Sequence, residues 1–395
     1  MKTSNRAQSR NAIGELYTLF IGLLPLLMMY KFPFVNFGMG VLLALAFLPY
    51  VFLCVFNKGC EISSWKSILT ICFFSYYCYS ISADFNSLVL YIVTAIHVLV
   101  APKSLYFDRL MRIVEKFALI ASIVIIFQFF LYSLFGIFFP FVWDAYVLDS
   151  LKGAGGLFEE SSGFARMSGL FLEPSHYSKY ALVALTFYLF ENKINRRVLR
   201  NTIIITIGII CSTSGMGIVG ALGIWGYYIV MKDNYVIKNK SKLSKILFLA
   251  FFGTILLSIL YFGSTGFHHS ISRIIGTSDD YNAIEGRTLY SEMYLTELSG
   301  SNLVYGLKYF ELENYVVGYV KILVYSGVVG LALLILSSAS FWPNNKTSVK
   351  INILMFIVLL FFSNIVGGLN LLFYYMIFNN YYLYEKNRLS VNLRA

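Results

Sequence analysis

The sequence predicts an all-α polytopic membrane protein of about twelve transmembrane helices with two large loops on the outer face. Three observations predict it. Hydrophobic residues make up 58% of the 395 and charged residues 13%, with a mean hydropathy of +0.70, whereas a soluble domain carries about 25% charged residues and keeps a polar shell toward water. The apolar residues gather in runs approaching the roughly 20 residues that cross a bilayer. Lys and Arg are distributed unequally between alternate connections, as topology requires. One integral membrane domain over residues 1–395 is expected, with no separate soluble domain, internal repeat or low-complexity segment.

The runs extend over Gly14–Tyr30, Phe37–Phe56, Ile68–Ala83, Ser87–Val100, Phe117–Phe139 and Pro174–Phe190. They continue with Thr202–Cys211, Ile218–Met231, Ile246–Phe262, Tyr315–Ser337, Ile351–Val366 and Gly368–Tyr382. Thr202–Cys211 and Ile218–Met231, joined by Ser212–Gly215, are short and read either as tilted helices or as a re-entrant hairpin. With the N-terminus inside, most of the 31 Lys and Arg fall in cytoplasmic connections, which is the positive-inside pattern. Lys31, Lys152, Arg166, Lys179, Arg273, Arg287 and Lys308 lie outside, and Lys321 lies within a helix. Two crossings around Ser212–Gly215 keep the lysines of KDNYVIKNKSKLSK inside, whereas one crossing inverts every later loop. Both termini are therefore expected in the cytoplasm.

The net charge of +11 is accounted for by this topology, and no basic helix or nucleic-acid-binding motif accompanies it. The basic N-terminus before the first run resembles a secretory signal, but MMYKFPF offers no small-residue cleavage site, so a retained helix is expected. Cys54, Cys60, Cys72, Cys78 and Cys211 form no CxxC pair and have no His partners, which points to buried fillers and not to a disulfide framework or a metal site.

Two outer connections, 140–173 and 263–314, exceed simple turns, and long loops in compact proteins are usually functional. They hold most of the external acids and nearly every external Arg and His. The first ends in GLFLEPSHY (Gly169–Tyr177), with Arg166 three residues upstream. Pro174 suits a first helical turn, and Glu173 before it is placed to cap the exposed amides. Glu173 and His176 then share one helix face, at a helix start whose free N–H groups attract anions. The bland alternative pairs Arg166 with Glu159 or Glu160, keeps Glu173 as a cap and leaves His176 as an interfacial polar tip.

In the second loop, EGRTLYSEMYLTELSG reads as an amphipathic helix, with Leu289, Tyr290, Met293, Tyr294 and Leu298 at helical spacing and Gly300 ending it. Arg287 falls in its first turn, where a cation is electrostatically unfavourable, so an anion contact is expected of it; an ion pair with Glu285 or Asp280 is the alternative. His268 and His269 lack a carboxylate and a third ligand at metal-binding spacing. Lys321 is expected about two turns into its helix, either snorkelling or facing a cavity.

RMSGLFLEPSHYSKYALVAL followed by the STSG hairpin resembles the Wzy-type O-antigen polymerases of the O-antigen polymerase and ligase superfamily. The two large loops after the fifth and ninth helices, and an EGR-initiated segment leading to Gly306 before the tenth, extend the resemblance. It implies an inner-membrane glycosyltransferase of the GT-C type with its two large loops in the periplasm. The implied reaction transfers a growing glycan from one undecaprenyl diphosphate carrier to the sugar end of another carrier-linked repeat, without metal or cofactor. The implied partners are these lipid-linked donor and acceptor glycans, membrane lipids and a chain-length regulator; nucleic acid is not among them.

Such a reaction needs cations at the diphosphate leaving group, and Arg166 and Arg287, one from each loop, supply guanidinium forks. Glu173 or His176 would take the acceptor proton, with Glu173 favoured. Arg273, Tyr290, His268, His269 and Lys321 are the further candidates for holding diphosphate or glycan. Ligases of the superfamily carry a His-Asn pair where Val316 and Val317 stand here, although Gly327 and Gly330 of the following G-x-x-G step are kept, which favours polymerase over ligase. A flippase, the third class, is expected to have similar halves, short loops and a charged intramembrane cavity.

Overall fold

The computed structural model describes residues 12–32, 35–58, 65–82, 84–100, 105–139, 141, 146–148, 167–192, 195–231, 285–307, 312, 316–342 and 346–379. These residues are mostly helical, with thirteen helices among them. The chain divides into two compact units. One comprises Met1–Val114, Tyr294–Glu313 and Val317–Ala395, and the other Glu115–Met293 with Asn314–Val316.

The first unit holds α1 (Ala12–Leu27), α2 (Met39–Lys58), α3 (Trp65–Ser80) and α4 (Phe85–Val100). A small antiparallel hairpin, β1 (Lys31–Phe32) and β2 (Val35–Gly38), joins α1 to α2, an addition to the all-α expectation. The buried edge of α4 is stitched to α1 and α2 through His97. Its Nε2 faces the Ala44 carbonyl at 2.9 Å, so that nitrogen carries the proton and Nδ1 accepts from the Tyr17 hydroxyl at 2.9 Å. Both groups are fully buried. Tyr17→Phe leaves Nδ1 buried without a donor and is expected to destabilise the protein by about 1–3 kcal/mol, read as a lower unfolding temperature of the purified protein.

α5 (Phe107–Phe135) begins in the first unit and continues into the second. It starts ten residues before the apolar run that foretold it. Leu110, Met111 and Val114 extend its buried face N-terminally, while Arg109, Arg112 and Lys116 occupy the exposed flank. At 29 residues it is about 43 Å long. Ile120, Ile123, Phe127, Phe130 and Leu134 form a stripe along it, each more than half exposed. Water disfavours such a stripe and hydrocarbon accepts it.

In the second unit α6 (Pro174–Glu191) packs against both α7 (Arg196–Cys211) and α8 (Gly215–Met231). α7 starts six residues before its apolar run because the Asn195 side chain caps it, accepting from the Val198 N–H at 2.9 Å. α7 and α8 are joined by only three residues, 212–214. The two short runs are thus two full helices of 16 and 17 residues.

α9 (Glu285–Thr296) and α10 (Ser301–Tyr305) follow. Of the face expected to be apolar on α9, Tyr294 and the downstream Leu298 are buried, but Met293 is 46% exposed, so the buried edge runs through Ser291 instead. Gly300, at φ 54°, separates the two helices.

α11 (Gly318–Ala339) and α12 (Thr347–Phe362) complete the named helices of the first unit, and a further helix, α13, covers 368–379. α11 is interrupted at Gly327, whose φ of 62° and ψ of −167° lie in a region essentially reserved for glycine. The interruption sits about 14 Å from the start of the helix. α10 and Gly306 lie against it, and the Leu307 N–H donates to the Val324 carbonyl at 2.7 Å.

α5 and α11 are long and apolar enough to cross a membrane by length and composition, and five shorter apolar helices accompany them. The ninth run, Ile246–Phe262, lies outside the described residues. Of the cysteines expected to be buried fillers, Cys54 and Cys211 are buried and Cys78 is half-buried. Cys72 is exposed instead, because its position falls on the outward edge of α3.

Candidate functional site

In the second unit the approach to α6 is fixed before the helix begins. Gly169 takes a left-handed φ of 62° and donates its N–H to the Gln128 Oε1 at 2.9 Å. Gln128, 1% exposed, also donates to the Phe139 carbonyl at 2.8 Å. A lone amide in the apolar face of α5 therefore anchors the GLFLEPSHY stretch. Phe171 then packs edge-on to Phe117 and Tyr177, which turns the chain into the helix.

Glu173 stands at the cap position of α6 in an extended conformation, with Pro174 as the first helical residue. Its carboxylate does not cap the amides as expected. Pro174 has no N–H to offer, and the His176 and Tyr177 N–H groups already donate to the Glu173 backbone carbonyl. The Glu173 Oε2 accepts instead from the Ser175 hydroxyl at 2.9 Å.

Glu173, His176 and Lys179 follow one another at three-residue intervals on one side of the helix. The imidazole feels both neighbours, the ammonium of Lys179 and the carboxylate of Glu173. Lys179 is buried, and the His176 Nδ1 is a buried nitrogen with no hydrogen-bond partner among the described residues.

The turn between α7 and α8 lies against the second turn of this helix. Ser178 Oγ meets Ser212 Oγ at 3.3 Å, and at Gly217 any side chain larger than hydrogen would collide with Ser178. One turn away, Tyr177 and Ser122 share a hydrogen bond of 2.7 Å beside Gly208. Ser212, Thr213 and Ser214 are all buried. Ser214 caps α8 by accepting from the Gly217 N–H, and Thr213 adopts a φ of 56°. A left-handed conformation is a true outlier for a β-branched residue and costs on the order of 1–3 kcal/mol. The Thr213 hydroxyl has no partner among the described residues.

The first unit carries a separate polar group. Lys321 lies in the first turn of α11, shallower than the two turns expected, because the helix starts at Gly318 and not at Tyr315. Its Nζ sits 6.0 Å from the centre of the Tyr325 ring. Among the described residues the carboxylate whose charge acts on it is Asp84, which the sequence reading passed over. Asp84 caps α4, its Oδ1 accepting from the N–H groups of Asn86 at 3.1 Å and Ser87 at 3.2 Å. The Ser87 side chain, with these two amides and the Lys321 charge, holds the Asp84 carboxyl below the usual carboxylate range. An Asp directly before an apolar run, with Ser three residues on, is a helix-start signal that could have found it.

Of the residues expected at the site, Glu173 and His176 are brought together. Arg166, His268, His269 and Arg273 lie outside the described residues. Arg287 falls in the first turn of α9 as expected, and its side chain lies outside the described residues. Tyr290 is half-buried on the same helix. Lys179, Gln128, Thr213 and Asp84 are the polar residues that the sequence reading did not place at a site. Compared with models of protein families, with curated proteins and with solved structures, the chain matches none.

Proposed function

We propose that this chain is a polymerase of lipid-linked oligosaccharide repeats, of the Wzy type, embedded in a bacterial inner membrane. The reading places twelve spans, both termini in the cytoplasm and both large loops in the periplasm, in a GT-C-like arrangement. The observation that carries it is the row Glu173, His176 and Lys179 at the start of α6, beside the buried Ser212–Ser214 turn. A carboxylate, an imidazole and an ammonium at a helix start are the groups that glycosyl transfer from a diphosphate requires.

In the proposed reaction an acceptor sugar hydroxyl attacks the anomeric carbon of the donor glycan. The new glycosidic C–O bond forms as the C–O bond to undecaprenyl diphosphate breaks, and the hydroxyl proton passes to a base. Lys179 and the helix dipole at the start of α6 would offset charge on the departing diphosphate, with Arg166 and Arg287 as the guanidinium donors. Two observations support His176 over Glu173 as base. Among the described residues the imidazole keeps a nitrogen without a partner, whereas the carboxylate already accepts from Ser175.

A gel of surface polysaccharide from a strain lacking this chain tests the reading. Loss of a polymerase is expected to leave core lipid bearing a single repeat. Bare core with accumulated lipid-linked polymer would point to a ligase, and bare core without external polymer to a flippase; either result overturns the proposal.

A further inference from the structure

The start of α7 carries the wrong charge for a helix N-terminus. Arg196, Arg197 and Arg200 stand there, all exposed, where the helix dipole disfavours cations. The cap residue is the neutral Asn195 and the first turn holds no acid. Among the described residues none of the three guanidiniums forms an ion pair, and Arg200 spends one donor on the Asn201 side-chain oxygen at 3.5 Å. The basic start of α5 is built differently. Asp108 stands in its first turn, Arg109 lies 3.5 Å from the Glu15 carboxylate, and Arg112 donates to the Asp108 carbonyl at 3.1 Å. On α7 the cations also run into an apolar stripe. Arg196, Arg200, Ile203 and Ile207 follow one another along one side of the helix, all exposed, while Thr202, Ile205 and Ile209 on the other side are buried. Ile207 lies about 10 Å along the axis from Arg200. Keeping positive charge inside requires only a number of cations, and neither guanidinium chemistry nor this alignment.

We propose that this stripe binds one anionic phospholipid of the cytoplasmic leaflet, its phosphate held between the Arg196 and Arg200 guanidiniums and an acyl chain lying along Ile203 and Ile207. Guanidinium forks match phosphate oxygens, and the phosphate brings to the helix start the negative charge that its own residues withhold. At 16 residues α7 is about 24 Å long, against a hydrocarbon core of about 30 Å, so its charged start is drawn to the level of the lipid phosphates. A zwitterionic headgroup carries its own cation close to the arginines and gains less. The site rests on the membrane-embedded part of the proposed reading and is independent of the glycosyl transfer.

The test uses the full chain in a nonionic detergent, with native mass spectrometry and thermal unfolding followed as phosphatidylglycerol, phosphatidylcholine or soluble glycerol phosphate is added. The wild type is expected to hold phosphatidylglycerol about tenfold more tightly than phosphatidylcholine and to ignore glycerol phosphate, which has no acyl chain. Arg196→Gln combined with Arg200→Gln is expected to lose that preference, together with the rise in unfolding temperature that the lipid confers. Arg196→Lys combined with Arg200→Lys keeps the charge without the fork and is expected to fall between the two; it carries the comparison if the Gln pair does not fold. Arg109→Gln combined with Arg112→Gln removes the same charge from α5 and is expected to bind as the wild type does. Equal retention of both lipids by the wild type, equal losses in the two Gln pairs, or glycerol phosphate held as tightly as the lipid would each overturn the site, as a nonspecific lipid coat, a diffuse charge effect or a free-phosphate site. Lipid binding unchanged in the α7 pair, with the wild type running as a dimer that this pair disrupts, would give the stripe to a second copy of the chain and overturn it too. The strain lacking this chain separates the two ideas. Normal polysaccharide there, with the lipid preference intact in the wild type and lost in the α7 pair, retires the polymerase and keeps the lipid site. Single repeats there with equal retention of both lipids do the reverse.

Discussion

His176→Ala is expected to collapse the surface polysaccharide to single repeats while the protein remains inserted and abundant. Removing a general base slows a reaction by about 100- to 10,000-fold, and chain growth amplifies that loss because every added repeat needs another transfer. Little structural loss is expected with it, since the Nδ1 has no hydrogen-bond partner among the described residues. Glu173→Gln is the companion measurement. Gln keeps an acceptor for the Ser175 hydroxyl and removes the negative charge beside the imidazole. A shorter but still laddered distribution is expected from it. A wild-type ladder from His176→Ala, or single repeats from Glu173→Gln alone, would transfer the base to Glu173.

Gly327→Ala is expected to be strongly damaging for a single added methyl group. Its backbone conformation belongs to glycine, and an added Cβ runs into the carbonyl group of Val304 and lies 2.6 Å from the Gly306 nitrogen. Both obstacles are backbone, so no side-chain rotation relieves them. A loss of roughly 3 kcal/mol or more is expected, visible as a lower yield of monodisperse protein and an earlier thermal transition. Gly223→Ala is the control, because the space around that helical glycine is open. It should be neutral or stabilising by about 0.5–1 kcal/mol. Equal behaviour of the two variants would refute the packing account of Gly327.

The helices of this fold were largely legible in the sequence, and the reasons differ from element to element. α6 announces itself twice, through Pro174 at its start and through an apolar run, and both signals survive in the structure. α5 was read ten residues short because hydropathy stops at the first charges, whereas a helix continues for as long as one face can be buried. The bend of Thr213 and the interruption at Gly327 were invisible as geometry. Gly327 was noted as a sequence feature and Gly306 as another, but nothing in their spacing says that one chain segment rests on the other's backbone. At the site, periodicity sufficed for Glu173 and His176, since three-residue spacing decides a helix face. It did not suffice for Asp84 and Lys321, which are separated by more than half the chain and whose charges act on one another only through the tertiary fold. The capping role first given to Glu173 failed for a local reason: its own carbonyl had already claimed the amides that its side chain was expected to reach.

The interruption of α11 also bears on how the chain is made. Opening a helix at Gly327 frees the Val324 carbonyl, and in the proposed bilayer setting an unmatched carbonyl costs several kcal/mol. Leu307 supplies the missing N–H. This span is therefore incomplete when it leaves the ribosome alone, and the piece that completes it has already been synthesised, just ahead of the helix in the chain. Translation order and bonding order agree, so the completing segment is present before α11 must settle into lipid. A rearranged gene that moved residues 301–307 behind α11 would keep the same contacts available, yet it would ask the helix to wait unfinished in the membrane for its partner to arrive.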